Sequence, residues 1–158
     1  MSAGLEVISP GLMTSVQDRG RFGYQALGIS VSGALDTDSF DIANALVGNE
    51  SGNKVGTGAL EIRMLGPTLK VTADSVTVAL AGTATAIEVV APEREGISAC
   101  RSVTLLKGQV FRVGAVSDSA VCYLAVHGGF DLPPIYGSQS TCMSAGVGGF
   151  HRGILGKG

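Results

Sequence analysis

Short apolar runs, broken by glycine and proline, recur along the whole chain, and this pattern predicts strands rather than long helices. "LEVIS" (5–9) is the first such run and stops at Pro10–Gly11. "MTSVQD" (13–18) follows, with Met13, Ser15 and Gln17 on one face and Thr14 and Val16 on the other. "ALEIRML" alternates, placing Leu60, Ile62 and Met64 opposite Glu61 and Arg63. Gly66–Pro67 turns the chain into "TLKVTA". "SVTVALAG" is nearly continuous and suits a central strand, with "AIEVVA" as its expected neighbour and "PEREGIS" as a charged turn. "SVTLLKGQVFRVG" predicts two strands joined through Lys107–Gly108, and "SAVCYLAVHGG" a buried strand ending in two glycines.

One segment switches to helical spacing. Asp36 has the character of an N-cap, Asp38 and Asp41 suit the first turns, and Phe40, Ala43 and Val47 share a face with Leu46 beside it. Gly48 is placed to end the helix, which spans about 36–47. "NESGNKVGTG" then reads as a flexible polar loop, and the Gly- and Ser-rich tail beyond Pro133–Pro134 has no period. Many short strands with one helix indicate a mainly β barrel or sandwich.

Composition narrows the function classes. Hydrophobic residues are 45% and charged residues 15% of 158, which fits one folded domain over 1–158 and excludes a disordered chain. The net charge of -2 and the few aromatics leave neither a basic footprint nor a stacking surface, so nucleic acid and anionic membranes are not expected partners. The start "MSAGLEVISPG" lacks a basic, apolar leader, and a cytoplasmic location is expected. Cys100, Cys122 and Cys142 form no CxxC pair and are expected as free thiols, with Cys122 buried and no metal site.

Polar chemistry concentrates in "SVQDRGRFGYQALGISVSGALD" (15–36). Arg19 and Arg21, two apart, would project to one face of an extended chain and could hold a carboxylate, carbamate or phosphate. Tyr24, Gln25 and Ser32 would add neutral hydrogen bonds. The bland alternative has Asp18 paired with Arg19 or Arg21 to pin a solvated loop. "VHGGFD" sets His127 beside Gly128 and Gly129, where a general base or a merely structural histidine would fit. "GSQST" (137–141) could cradle an anion through its amides, or form a turn with local serine hydrogen bonds, and it lacks the ending of a nucleotide-binding loop. Glu61 and Arg63 read as an exposed cross-strand ion pair.

Taken together, "SVQDRGRFGYQALGISVSGALD", "ANALVGN", "ALEIRMLGPTLKV", "YLAVHGGFDLPPIYGSQST" and "GGFHRG" resemble the biotin-dependent carboxyltransferase family. That family includes the C subunit of 5-oxoprolinase, allophanate hydrolase subunit 2 and the kinase-inhibitor antagonist of sporulation control. The resemblance implies a cyclophilin-like β-barrel and the N-terminal half of a longer protein built from two such halves. It implies a role as the C-type component in ATP-dependent conversion of 5-oxoproline to glutamate. The partners it implies are an A-type protein, a cyclophilin-like B-type protein and a small amide or carboxylate substrate. The alternatives it implies are carboxyl transfer from carboxybiotin to urea or a related amide, and non-catalytic antagonism of a histidine kinase inhibitor. No biotin-attachment motif is present, so no covalent cofactor is expected, and ATP or carboxybiotin would come from the partner proteins. The candidate catalytic residues are Arg19, Asp18 and His127. The candidate substrate-binding residues are Gln17, Arg21, Tyr24, Gln25, Ser32, Asp36, Gly128, Gly129, Ser138 and Ser140. The loop "NESGNKVGTGALEI" is longer than the family pattern, which suggests an exposed insertion.

Overall fold

The periodic runs become strands where they were expected. A computed structural model of the chain describes residues 4–49 and 57–157. In order these give β1 (Leu5–Ser9), β2 (Met13–Gln17), α1 (Thr37–Leu46), β3 (Ala59–Arg63), β4 (Thr68–Val71), β5 (Ser75–Ala81), β6 (Ile87–Ala91), β7 (Glu95–Ile97), β8 (Ser102–Leu106), β9 (Val110–Val113) and β10 (Cys122–Val126). A single 3-10 turn at Gln25–Leu27 lies between β2 and α1. Most of the expected loop at 49–58 lies outside the described residues.

The strands form two antiparallel five-stranded sheets, ordered β1-β4-β9-β6-β7 and β2-β3-β10-β5-β8. Among the described residues these remain two ladders, and no closed barrel joins them. Tight turns pass the chain from one sheet to the other: β3 to β4 through Gly66–Pro67, and β8 to β9 through Lys107–Gly108. Between the sheets, Val16, Leu60, Ile62, Leu69, Val78, Leu80, Ile87, Phe111, Val113 and Leu124 form the main core. Each such side chain contributes about 1.5–3 kcal/mol by leaving water.

The helix lies on the outer face of the second sheet. Ala59, Ala79, Ala81 and Ala125 present a small-residue floor, and Phe40, Ala43 and Val47 pack onto it. Phe40 meets the Tyr123 ring edge-on at 5.8 Å. Asp36 caps the helix by accepting from the Ser39 amide at 3.1 Å and the Ser39 hydroxyl at 2.6 Å. The Ser39 hydroxyl bond holds the Asp36 carboxyl below its ordinary range.

Three expectations are corrected. The "AIEVVA" strand does not pair with β5; β6 lies in the first sheet between β7 and β9. The charged "PEREGIS" turn contains β7, a short edge strand. Glu61 and Arg63 do form an ion pair, at 2.9 Å, but along one strand, and Glu61 is buried. The reason is α1 and the segment leading into it, which cover that face: Glu61 accepts from the Tyr123 hydroxyl at 2.8 Å and the Leu35 amide at 2.9 Å.

Candidate functional site

Residues 18–34 leave β2 and fold back on themselves as two limbs. The Arg21 amide donates to the Val31 carbonyl and the Ala34 amide to the Asp18 carbonyl, both at 2.8 Å. The Gln17 side chain closes the base, accepting from the Gly33 amide at 3.1 Å. The limbs touch backbone to backbone at Gly33, where a Cβ would lie 2.9 Å from the Gly20 nitrogen.

Asp18 is the hub beneath this hairpin. Its carboxylate accepts from the Ser138 hydroxyl at 2.6 Å, the Ser140 hydroxyl at 2.5 Å, and the Gln139 and Gly20 amides at 2.7 Å. The "GSQST" loop forms a turn with a local serine bond, the Ser140 amide donating to Ser138 Oγ at 3.0 Å, and it closes on the protein's own Asp18 through two hydroxyls and one amide. Asp18 pairs with neither arginine, so the expected alternative of an Asp18–arginine pin is corrected as well. Charge-assisted bonds to hydroxyl and amide donors satisfy the buried carboxylate in their place.

The two arginines part company. Arg21 is almost wholly buried, donating to the Ser140 and Ile135 carbonyls, and its Nη1 has no partner among the described residues. Arg19 stays about one-third exposed and reaches α1, where it meets both carboxylate oxygens of Asp41 at 2.6 Å. The expectation that both guanidiniums share one face fails because the chain turns at Gly20 instead of running extended.

Beside the hairpin, Cys142 sits within reach of three hydroxyls. Its sulfur is 3.2 Å from Ser30 Oγ and 3.4 Å from Ser144 Oγ, and Ser30 Oγ is 3.2 Å from Ser32 Oγ. Hydrogen bonds from Ser144, Ser30 and Ser32, in that order of size, draw the thiol down to about 6. Burial instead pushes the Cys122 thiol in β10 up to about 12. Tyr24 stacks at a tilt on Tyr136, centroids 4.8 Å apart, and Gln25 accepts from the Gly23 amide. The result is a cluster of serine hydroxyls around a thiolate-prone cysteine, donors that stabilise an anion, here the thiolate of Cys142 itself.

The remaining candidates lie elsewhere. His127 follows β10 and its Nδ1 is 2.7 Å from the Val47 carbonyl at the end of α1. Gly128 donates to Asn49 Oδ1 at 2.7 Å, and Gly129 closes a turn onto Val126. Asp36 caps α1 and donates its amide to the Tyr123 hydroxyl at 2.9 Å. The structure thus gathers Gln17, Asp18, Arg21, Ser138 and Ser140 around one buried knot and places His127, Gly128 and Gly129 apart from it.

Asp41, Gln139, Ser30, Ser144, Glu61 and Tyr123 also build this region, and the sequence pattern did not mark them as site residues. Gln139 carried a hint, standing between two candidate serines. Ser144 stands two residues from Cys142, while Asp41, Ser30, Glu61 and Tyr123 are brought in by contacts distant in sequence, which local spacing does not encode. Among the described residues, no group of three or more His, Cys, Asp and Glu is placed to hold a metal.

Known proteins share both sequence and fold with this chain. The C subunit of 5-oxoprolinase from Escherichia coli is 34% identical over 151 residues, covering 96% of this chain and 46% of its own length. A urea amidolyase of Saccharomyces cerevisiae is 32% identical over 152 residues, covering 96% of this chain and 8% of its own length. The crystal structure of the Kluyveromyces lactis urea carboxylase superimposes with a TM-score of 0.87 at 33% identity, over 98% of this chain and 13% of that one. The chain therefore spans less than half of these relatives, which are parts of multi-subunit or multi-domain enzymes. The profile of the carboxyltransferase domain, subdomain A and B, matches residues 27–158, and the chain belongs to that family.

Proposed function

We propose that the chain is the C-type component of an ATP-dependent 5-oxoprolinase, acting on the cyclic amide of 5-oxoproline at an interface with a B-type partner. The observation that carries this reading is the 34% identity, across 96% of the chain, to the Escherichia coli 5-oxoprolinase component. The local chemistry agrees with it. Ring opening develops negative charge on an amide oxygen, and the substrate already bears a carboxylate. Arg19, partly exposed and braced by Asp41, is the group we assign to those oxygens. Asp18 is assigned a positioning part, because its carboxylate is fully engaged with Ser138, Gln139 and Ser140. ATP would be handled by the A-type partner.

Carboxyl transfer to urea from carboxybiotin is the second reading, favoured by the TM-score of 0.87 to the Kluyveromyces lactis urea carboxylase. One pair of assays separates them. The chain is mixed with its A-type and B-type partner proteins, 5-oxoproline and ATP, and glutamate is measured. In parallel, urea-dependent carboxylation is followed with a carboxybiotin donor. Glutamate formation that requires the chain supports the first reading. Carboxylation of urea without glutamate formation would replace it with the second.

A further inference from the structure

A cavity of about 490 Å³ opens between the two sheets, away from the Asp18 knot. Its walls are core side chains from both sheets, Leu60, Leu69, Val76 and Val126, together with the half-buried Phe130 and Phe150. Phe130 and Phe150 meet edge-on at 6.2 Å. Cavities of this size are typical of small-molecule sites, and one lined by such residues has too few polar partners to keep water well bonded.

The mouth has a different character from the walls. Asp131, on the loop after β10, and His151 and Lys157, from the tail, also line it and are exposed where the wall residues are buried or half-buried. A carboxylate and two basic groups thus share the rim of an otherwise apolar chamber. A ligand with only an apolar body would leave that rim unused. A simple anion would face Asp131, and a simple cation would face Lys157.

We propose that this cavity binds a small zwitterion with a large apolar side chain, of the α-amino acid class. Its ammonium lies toward Asp131, its carboxylate toward Lys157 and His151, and its side chain against Leu60, Leu69, Val76 and Val126. One side chain links the cavity to the knot. Gln139 donates through Nε2 to the carbonyls of Phe130 and Leu132, both at 2.8 Å, while its amide holds Asp18. An occupant pressing on Phe130 therefore touches a segment tied to the Asp18 loop. Binding here does not depend on the 5-oxoprolinase reading.

Calorimetric titration of the 158-residue chain with L-phenylalanine, 3-phenylpropanoate and 2-phenylethylamine tests it. L-phenylalanine is expected to bind saturably, and loss of either charge should weaken binding about fivefold or more, on the order of 1 kcal/mol. Asp131→Asn should erase the advantage of L-phenylalanine over the acid, and Lys157→Gln its advantage over the amine. Val76→Phe should fill the chamber and abolish binding. Because an overfilled core can also fail to fold, methyl chemical shifts of the unmodified protein are followed as well, and the perturbed methyls should include Val76 and Val126. No saturable binding, equal affinity for all three probes, or shifts confined to other residues would each overturn the proposal.

Discussion

Ser140 and Asp18 bind each other twice: the Ser140 hydroxyl donates to the Asp18 carboxylate at 2.5 Å and accepts from the Asp18 amide at 2.8 Å. The two residues are 122 positions apart in the chain. This reciprocal pair ties the end of β2 to the 138–140 loop and so fixes the hairpin that carries Arg19. Asp18→Asn keeps the shape but turns one acceptor oxygen into a donor facing Ser138 or Gln139. The expected cost is about 2–4 kcal/mol, because bonds to a charged group are lost and buried donors are left opposed. Urea unfolding of the variant, with an unchanged m-value, is the check, and a shift under about 0.5 kcal/mol would contradict this role.

The two arginines should behave oppositely. Arg19→Ala removes a partly exposed ion pair, so stability should change by less than about 1 kcal/mol. Under the proposed function the same variant should lose turnover in the assembled enzyme. Arg21→Ala strips the Ser140 and Ile135 carbonyls of their donor and leaves a void, at an expected cost of about 3 kcal/mol or more. Thermal melts of both variants decide the matter, and equal destabilisation would show that the burial difference is without energetic consequence.

Cys142 gives the chain a pH dependence of known sign. Its thiol titrates near 6 in the folded protein against 9.0 for an ordinary cysteine. Between those values the unfolded chain binds a proton that the folded chain does not, so stability rises with pH across that window and the gain is lost as pH falls through 6. Wild type should gain on Cys142→Ser as the pH is raised from about 6 to about 9, as read from paired melting curves. The thiolate absorbance difference between the two proteins should appear with a midpoint near 6, and Ser144→Ala should move it upward. A midpoint at the ordinary thiol value would remove the hydroxyl cluster from the account.

Gly148 packs against the same knot. Its φ is +75°, and an added Cβ would collide with the Ser140 carbonyl and stand 2.8 Å from Arg21 Nη2. Gly148→Ala should therefore destabilise by about 3 kcal/mol or more, through strain and loss of the Arg21–Ser140 bond together. Gly137, also left-handed at φ +77° but with open space around it, is the control: Gly137→Ala should cost only about 1 kcal/mol. Chemical denaturation of the pair measures the difference.

What local pattern alone determined is the set of elements. Strand periodicity at 5–9, 13–17 and 102–106, the Asp36 cap and the helix it starts, and the buried run at 122–126 all follow from neighbours a few positions away. The family resemblance was legible in the same way, from motifs that are contiguous in the chain. Tertiary structure decided the rest. It sent β6 to the sheet that β5 does not belong to, buried Glu61 under the segment leading into α1, sank Arg21 while leaving Arg19 near solvent, and closed the "GSQST" loop on Asp18. Those outcomes depend on which distant groups share the low-dielectric interior. A buried charge must find donors or acceptors wherever the fold brings them, and for Asp18 they come from more than a hundred residues away.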